Sequence, residues 1–350
     1  MMTSTAALPL LHSARRDAPR SLPIGLDTAI LHKMGTDNAR QALRGIVRSV
    51  AFELDAGRSE LRLAGPLMTY HGADPWLSAV LTQFDPTLSL DDVATFRRHH
   101  GVFDLCLEDS WTAYFTAARL AALGRLPDEL TLIHLDDHTD MMSTLLSCVD
   151  GRLINPASGE AFDPLRSDDW QSAIQAGSIN IANYLTPLYY LGRPVHIRHL
   201  NNAATPAKEQ PVSRALREYG LIPGHRFADI AIPAPPGSQA VGTYRSGADP
   251  VAVIGKDVTA YTMVHIDLDY FINDFNGVLR GENYVPDPSL RIAAAEKLTR
   301  FFDALGNSGA SVDHWMVATS PGFCCALHWN WLLAELAQRI TTCTPSERGR

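Results

Sequence analysis

The sequence predicts an α/β protein, a three-layer α-β-α sandwich around a mostly parallel central sheet. Three observations lead to this prediction. Short apolar segments typical of buried strands alternate along the chain with longer segments of helical periodicity. The chain has 350 residues, of which 46% are hydrophobic, and this is enough for the core of one such domain. Acidic residues follow directly after two of the apolar segments, at the place where parallel sheets bind ligands.

Four segments combine helical periodicity with residues that start or stop helices, such as Ser110 before one segment and Gly306 after another. We expect helices at 36–50, 110–124, 287–306 and 323–340. Short apolar segments predict strands at 131–135, 195–200, 261–266 and 312–318. The region 206–250 is rich in Pro, Gly, Ser and Ala, and we expect it to form a long surface excursion.

We expect one α/β domain at 26–340, in which the part from 26 to 100 gives the weakest signals. Residues 1–25 mix Ser, Pro, Arg and Ala without periodicity, which predicts a flexible N-terminus. Residues 341–350 are expected to form a C-terminal tail.

Composition and charge disfavour several classes of partner. The chain has 30 Lys and Arg against 38 Asp and Glu, a net charge of −8, and shows no basic run interleaved with aromatic residues. We therefore expect no nucleic acid partner. No window approaches 18 uninterrupted apolar residues, so no membrane association is expected. The five cysteines are scattered and odd in number, which favours reduced thiols and a cytoplasmic location.

The segment after the first predicted strand carries a cluster of metal-ligand residue types. Asp136, His138 and Asp140 form a DxHxD pattern, in which two carboxylates and one imidazole can face a common point from a loop. Alone, this pattern fits a metal site and an Asp-rich turn, whose side chains bond their own backbone, about equally well.

A second acidic pair follows another predicted strand. Asp267 and Asp269 form a DxD pattern, and two carboxylates that face the same sheet edge repel each other unless a cation lies between them. The two clusters together favour metal binding over the turn interpretation. His134 and His265 lie inside the two strands, and we interpret them as core histidines rather than ligands.

These residues carry a family resemblance. LIHLDDHTDMM at 132–142 and VHIDLDYF at 264–271 resemble the two metal-binding segments of the ureohydrolase superfamily of arginases and agmatinases, which shares its fold with deacetylases. LEDSWTAYF at 107–115, INIANYL at 179–185 and ATSPGF at 318–323 resemble the peptide-arginase branch, which converts arginine side chains of ribosomal peptides to ornithine. The resemblance covers roughly residues 104–335 and implies an arginase/deacetylase-like fold.

The resemblance implies two Mn(II) ions and assigns their ligands by position. The matching residues are Asp136, His138, Asp140, Asp267 and Asp269. The superfamily has a further histidine before the preceding helix, where this chain has Asp109 instead. With Asp109 as a ligand, five carboxylates face the four positive charges of two divalent ions, and the site is more anionic than the family's usual one.

The resemblance also implies the reaction, which is hydrolysis of arginine side chains in a ribosomally made precursor peptide to ornithine and urea. Asp136 and Asp140 are the expected catalytic residues, with Asp140 as both ligand and proton carrier. Asn180, Asn183 and Ser320 are expected to contact substrate. Asp137, Asp274 and Glu282 are candidates for binding the guanidinium group. The oligomeric state is left open.

Two other interpretations remain. A deacetylase or amidohydrolase of the same fold would use one metal, held by Asp136, His138 and one of Asp267 or Asp269. Because Asp109 departs from the family pattern, the chain could instead bind arginine-containing peptides without cleaving them.

Overall fold

The computed structural model describes residues 21–256, 258, 260–278 and 284–343. Its strands are β1 (Ile24–Gly25), β2 (Val50–Asp55), β3 (Glu60–Pro66), β4 (Arg97–His100), β5 (Phe103–Cys106), β6 (Leu130–Leu135), β7 (Ser147–Val149), β8 (Arg152–Asn155), β9 (Glu160–Phe162), β10 (Val195–Leu200), β11 (Lys208–Tyr219), β12 (Ile222–Ala231), β13 (Ala240–Gly247), β14 (Tyr261–Asp267) and β15 (His314–Ala318). Its helices are α1 (Thr28–Met34), α2 (Thr36–Ile46), α3 (Leu77–Phe84), α4 (Trp111–Ala122), α5 (Ser167–Ala176), α6 (Pro250–Ile254), α7 (Ser289–Ser308) and α8 (Trp329–Cys343).

The main sheet has 12 strands in the order β4-β5-β15-β14-β6-β10-β13-β11-β12-β7-β8-β9. Its centre, from β5 to β13, is parallel throughout. Both flanks are antiparallel, with β4 at one edge and a five-strand extension beyond β13 at the other. The α/β class is therefore confirmed. The sheet is mixed because of its antiparallel flanks, which the sequence patterns did not indicate.

Helices cover both faces of the parallel centre, as a layered α/β fold requires. Neighbouring residues of β6 point to opposite faces: Ile133 packs in a cluster that includes α3, α6, α7 and α8, and Leu132 in one that includes α4 and α5. Strands that are buried on both faces need a nearly continuous apolar sequence, and β6 is buried along its whole length.

The expectation that 206–250 forms a surface excursion is wrong. This region holds β11, β12 and β13, which extend the main sheet. Pro211 is compatible with this because it lies where β11 pairs with β13 alone, and pairing with β12 starts at Ser213. The composition of 206–250 indicated a loop, but its structure is determined by the pairing of β11 with β12 and β13.

Most other predicted elements are present with shifted ends. The strands predicted at 131–135, 195–200 and 261–266 correspond to β6, β10 and β14. The helix predicted at 323–340 begins only at Trp329, because the Phe323 carbonyl accepts hydrogen bonds from the backbone N–H groups of Asp274 and Phe275 in a neighbouring loop.

The N-terminal hundred residues contribute a second, three-stranded sheet in the order β1-β3-β2. Its core packs with Ile222 and Phe227 of the main sheet. Of the predicted flexible segment 1–25, residues 1–20 lie outside the described residues. The strand Ile24–Gly25 pairs with β3. The predicted tail lies outside them from residue 344 onward, and α8 extends to Cys343. Within the described ranges, no helix has the length and apolar character that a bilayer crossing needs.

Candidate metal centre

The predicted ligands lie together because four neighbouring strands of the parallel centre end at the same edge. These strands are β5, β15, β14 and β6, in that order across the sheet. The residues at or just beyond their carboxyl ends are Glu108 and Asp109 after β5, Ser320 after β15, Asp267 and Asp269 on β14 and its continuation, and Asp136 after β6. This edge is where open parallel sheets bind ligands.

Asp136 organises the loop that carries the DxHxD pattern. Its backbone N–H continues the sheet by donating to the Leu200 carbonyl at 3.1 Å. Its Oδ1 atom accepts a hydrogen bond from the backbone N–H of His138 at 2.6 Å, so the chain turns immediately after β6. Asp140 then adopts φ of 50°, in the left-handed region that few non-glycine residues occupy. The turn brings His138 and Asp140 back towards Asp136.

The second pattern is folded by the same kind of bond. Asp267 Oδ1 accepts from the backbone N–H of Asp269 at 3.1 Å. Asp269 Oδ1 accepts from the backbone N–H of Asp137 at 3.2 Å, which ties the two patterns together. The other oxygen of Asp267 accepts a hydrogen bond from the Ser320 hydroxyl.

Two groups of possible metal ligands share Asp136. In the first, ligand atoms of Asp109, Asp136 and Asp140 all lie within 4.8 Å of one another, and in the second the same holds for Asp136, His138 and Asp269. Both groups consist of residues predicted as ligands from the sequence. Asp267 lies at the same strand end but belongs to neither group.

Two carboxylate oxygens in this cluster are buried and lack a hydrogen bond within the part of the chain that the structure describes. Among the described residues, Asp109 Oδ1 and Asp136 Oδ2 are buried and have no hydrogen-bond partner. Burial, followed by the charge of Asp140, raises the pKa of both carboxyls well above the ordinary value. Burial and the charge of Asp269 likewise raise the pKa of Asp267. A cation at this place would satisfy the orphaned buried oxygens, so the residues fit a metal site.

Nearby histidines act to lower the pKa values of Asp140 and Asp269, against the effect of burial. Burial alone would raise the pKa of Asp140, but the ring of His134, 3.5 Å from Asp140 Oδ2, outweighs burial and holds that pKa below its usual value. Burial raises the pKa of Asp269 in spite of the bond from His138. Within one cluster, the pKa of Asp140 is therefore lowered and the pKa of Asp269 is raised.

His138 is oriented as a metal-binding histidine would be. Its Nδ1 atom faces the carboxylates, 3.0 Å from Asp269 Oδ2 and 3.5 Å from Asp136 Oδ1. Its Nε2 atom lies 3.1 Å from the Asn276 side-chain oxygen, an acceptor that fixes the ring. Burial disfavours the charged ring, but the bond and the charge of Asp269 outweigh burial and raise the pKa of His138 to about 10.

Three histidines on adjacent strands stack behind the cluster. His134 and His265 face each other with their Nδ1 atoms 2.8 Å apart, and His199 Nε2 lies 3.0 Å from the Asp136 carbonyl. His199 thus makes the kind of carbonyl contact that satisfies a core histidine. His134 and His265 also form a third possible ligand group with Asp136. The hydroxyl of Tyr184 lies beside them and donates to Asp140 Oδ2 at 3.1 Å.

A cavity of about 450 Å³ opens onto the cluster. Its lining residues are Ser49, Tyr70, Glu108, Asp109, His138, Thr139, Asp140, Met142, Ile181, Ala182, Asp267, Asp269, Ser320, Pro321 and Phe323. Ser320 is thus the predicted substrate residue that lies in the lining. Ser49 and Tyr70 come from the N-terminal hundred residues, for which the sequence predicted no role.

The other predicted substrate residues lie elsewhere. Asn180 and Asn183 flank the lining residues Ile181 and Ala182, but their side chains bond backbone groups: Asn180 Nδ2 donates to the Arg48 carbonyl and Asn183 Oδ1 accepts from the Asn180 N–H. Their contact with substrate stays a prediction. Glu282 lies outside the described residues.

Of the described candidates for guanidinium binding, neither lines the cavity. Asp137 accepts hydrogen bonds from Asn202 and Asn273, and Asp274 accepts from Tyr284 and from the backbone of Cys325. The residue that sequence reasoning missed is Glu108, which lines the cavity directly before Asp109. The acidic pair in LEDSWTAYF was the available signal.

A scan of protein-family models finds no match to this chain, and a search of curated proteins finds none at a significant level.

Proposed function

We propose that this chain is a hydrolase that uses two Mn(II) ions to convert arginine side chains of a precursor peptide to ornithine and urea. The observation that carries the proposal is that two of the possible ligand groups that share Asp136 consist entirely of predicted ligands, one with Asp109 and Asp140 and one with His138 and Asp269. A carboxylate shared by two such groups suits two adjacent metal ions. The resemblance to ureohydrolases supports the arginase-like variant of the layered α/β fold.

The donor set supports manganese over zinc or copper. Five carboxylates and one imidazole are mainly hard oxygen donors, which suit Mg²⁺, Ca²⁺ and Mn²⁺. Five negative charges against four positive ones leave the loaded site with a net charge of −1 when His138 is neutral. That residual charge favours a cationic substrate such as a guanidinium, which stays protonated at neutral pH.

A pair of divalent ions, when bound, makes water a usable nucleophile at neutral pH. The water oxygen becomes the carbonyl oxygen of urea, and the bond between the guanidinium carbon and the side-chain nitrogen breaks. The departing amine of ornithine then needs a proton. Asp140 lines the cavity, and we assign it to carry the proton from the attacking water to that amine. Asp136 belongs to both ligand groups, and the hydrogen bond from the backbone N–H of His138 fixes its carboxylate between them.

The cavity supports a peptide substrate. The lining residues that the structure describes include neither lysine nor arginine, so none of them offers a cation for the α-carboxylate of free arginine. Met142, Ile181 and Phe323 provide apolar surface for the hydrocarbon part of the side chain. Arg48 lies outside the lining, and its Nη1 atom donates to Met142 Sδ at 3.8 Å. The scattered cysteines of the sequence support a cytoplasmic setting.

The proposal is tested by counting metals and by measuring urea. Purified protein is loaded with Mn(II), and bound metal is measured by elemental mass spectrometry. Urea release is then followed with an arginine-containing peptide and with free arginine in parallel, for the wild type, Asp136→Ala and Asp128→Ala. Asp128 has a side chain that is 81% exposed, and it precedes β6 at the other end of that strand, so it serves as the matched control.

We expect two metal equivalents and urea from the peptide, with both lost in Asp136→Ala and kept in Asp128→Ala. One equivalent without urea would support the single-metal deacetylase interpretation. Two equivalents without urea from either substrate would overturn the proposed reaction. Urea from free arginine alone would contradict the peptide substrate.

A further inference from the structure

We propose that Glu108 is the carboxylate that recognises the guanidinium group, beside the aromatic rings of Tyr70 and Phe323. This inference rests on the proposed function and adds the residue that selects an arginine side chain over a neutral or primary-amine one. Glu108 belongs to neither of the two Asp patterns and to none of the possible ligand groups.

The position of Glu108 suits a ligand contact inside the cavity. It lies two residues beyond β5, directly before Asp109, and it lines the cavity with a side chain that is only 2% exposed. A buried carboxylate is stable only when it is paired or hydrogen-bonded. A substrate cation that enters this cavity supplies such a partner next to the metal ligands.

The carboxylate is held in place from one side. Its Oε1 atom accepts a hydrogen bond from the Tyr70 hydroxyl and lies 3.1 Å from His71 Nε2. Among the described residues both polar contacts fall on Oε1, which leaves Oε2 for a donor in the cavity. A side chain fixed in this way needs little reorganisation when substrate binds.

Aromatic rings form the walls beside this carboxylate. The centroid of the Tyr70 ring lies 5.6 Å from that of Phe323, and the Phe323 ring lies 5.2 Å from that of His138. A planar cation binds to the face of an aromatic ring, and a guanidinium can also present two parallel N–H groups to one carboxylate. The ammonium group of a lysine cannot combine ring stacking with two parallel hydrogen bonds. The neutral side chain of citrulline gains no electrostatic attraction to the carboxylate.

Gly322 sets the distance between the loop after β15 and the segment that carries Tyr70. It has φ of 82°, and a Cβ atom at this position would collide with the Tyr70 carbonyl. The loop after β15 therefore packs directly against the segment that carries Tyr70. The segments that carry Phe323 and Tyr70 are therefore in close contact at Gly322.

The test compares three peptides that differ only in one residue, which is arginine, citrulline or lysine. Binding to the full-length protein is measured by calorimetry with Mn(II) and with chelator, and KM and kcat are measured for the arginine peptide. We expect the wild type to bind the arginine peptide at least tenfold more tightly than the citrulline peptide. Glu108→Gln should weaken arginine binding by about 10- to 100-fold and leave citrulline binding unchanged, because a hydrogen bond to a charged group is lost.

Two further variants complete the design. Tyr70→Phe keeps the ring but removes the hydroxyl that holds Glu108, and we expect it to raise KM for the arginine peptide by about 3- to 10-fold with a smaller change in kcat. Glu129→Gln makes the same chemical change on a residue whose side chain is 56% exposed, next to the start of β6, and should change nothing. If Glu108→Gln does not fold, an unchanged KM in Tyr70→Phe overturns the inference.

The inference and the proposed function can fail separately. Urea release by Glu108→Gln with the wild-type KM leaves the proposed function intact and overturns the inference. Arginine binding that depends on Glu108 without any urea release supports the inference and overturns the proposed function. A wild type without preference for the arginine peptide overturns the inference. So does loss of bound Mn(II) in Glu108→Gln, because Glu108 would then serve the metal rather than the substrate.

Discussion

Asp136→Asn should change the stability of the protein in opposite directions with and without metal. Asp136 is 0% exposed, and its Oδ2 atom has no hydrogen-bond partner among the described residues. The carboxyl lies next to Asp140, and burial and that neighbour raise its pKa. In the metal-free protein, asparagine removes a buried carboxyl whose ionisation is unfavourable and offers an N–H donor to Asp140, so the substitution should be stabilising.

The expected size of the stabilisation by Asp136→Asn follows from these contacts. Satisfying a buried polar group of this kind contributes about 1 to 3 kcal/mol to the free energy of unfolding. That corresponds to an increase in Tm of about 1 to 4 °C for a chain of this length. Metal binding at a thousandfold excess over Kd stabilises the wild type by about 4 kcal/mol, most of which the variant should not gain. The order of stability therefore inverts when Mn(II) is added.

Differential scanning calorimetry of both proteins, after chelation and after Mn(II) titration, measures these differences. Asp128→Asn is the control, because its exposed side chain belongs to no ligand group, and its Tm should follow that of the wild type in both states. The reasoning is refuted if Asp136→Asn lowers the Tm of the chelated protein. It is equally refuted if Mn(II) raises the Tm of both proteins by the same amount.

Three further predictions concern the same region. The pKa values of Asp109, Asp136, Asp267 and Asp269 are raised, so these carboxyls bind protons more tightly in the folded state. Their contribution to stability is present below about pH 4 and is lost as the pH rises through the folded pKa values. The Tm gap between chelated wild type and Asp136→Asn should therefore widen with pH. Tyr184→Phe removes the donor to Asp140 and should lower kcat about 5- to 100-fold in a urea assay, whereas Tyr189→Phe, whose hydroxyl bonds the Thr243 carbonyl, should not. Gly322→Ala should reduce the free energy of unfolding in urea titrations by about 1 to 3 kcal/mol and raise KM, whereas Gly309→Ala, with positive φ but open space, should affect stability alone.

The sequence predicted which acidic residues lie close together, because their positions follow from strand ends. β6 and β14 are apolar segments that end directly before or within an acidic pattern, and strands adjacent in a parallel sheet end at one edge. Asp136, His138 and Asp269 could therefore be grouped from spacing alone. The resemblance directed attention to Asp109, and the structure brings it next to Asp136 and Asp140.

The antiparallel extension and the cavity walls could not be predicted in the same way. The region 206–250 has a loop-like composition, yet long-range pairing makes it three strands, and such pairing leaves little local signal. Tyr70 reaches the cavity because the N-terminal segment crosses the loop at Gly322, a contact between residues far apart in sequence. Glu108 was visible as an acidic residue, but only its burial beside Tyr70 distinguishes it from a solvated one.

The most direct test of the central claim is mass spectrometry of the reaction in oxygen-18-labelled water. Mn(II)-loaded protein is incubated with a peptide that contains one arginine, and the peptide and the released small molecule are both analysed. The proposed hydrolysis predicts a peptide that has lost the mass of a cyanamide unit, together with urea that carries the heavy oxygen. An unchanged arginine residue, with two metal equivalents confirmed in the same sample, would contradict it.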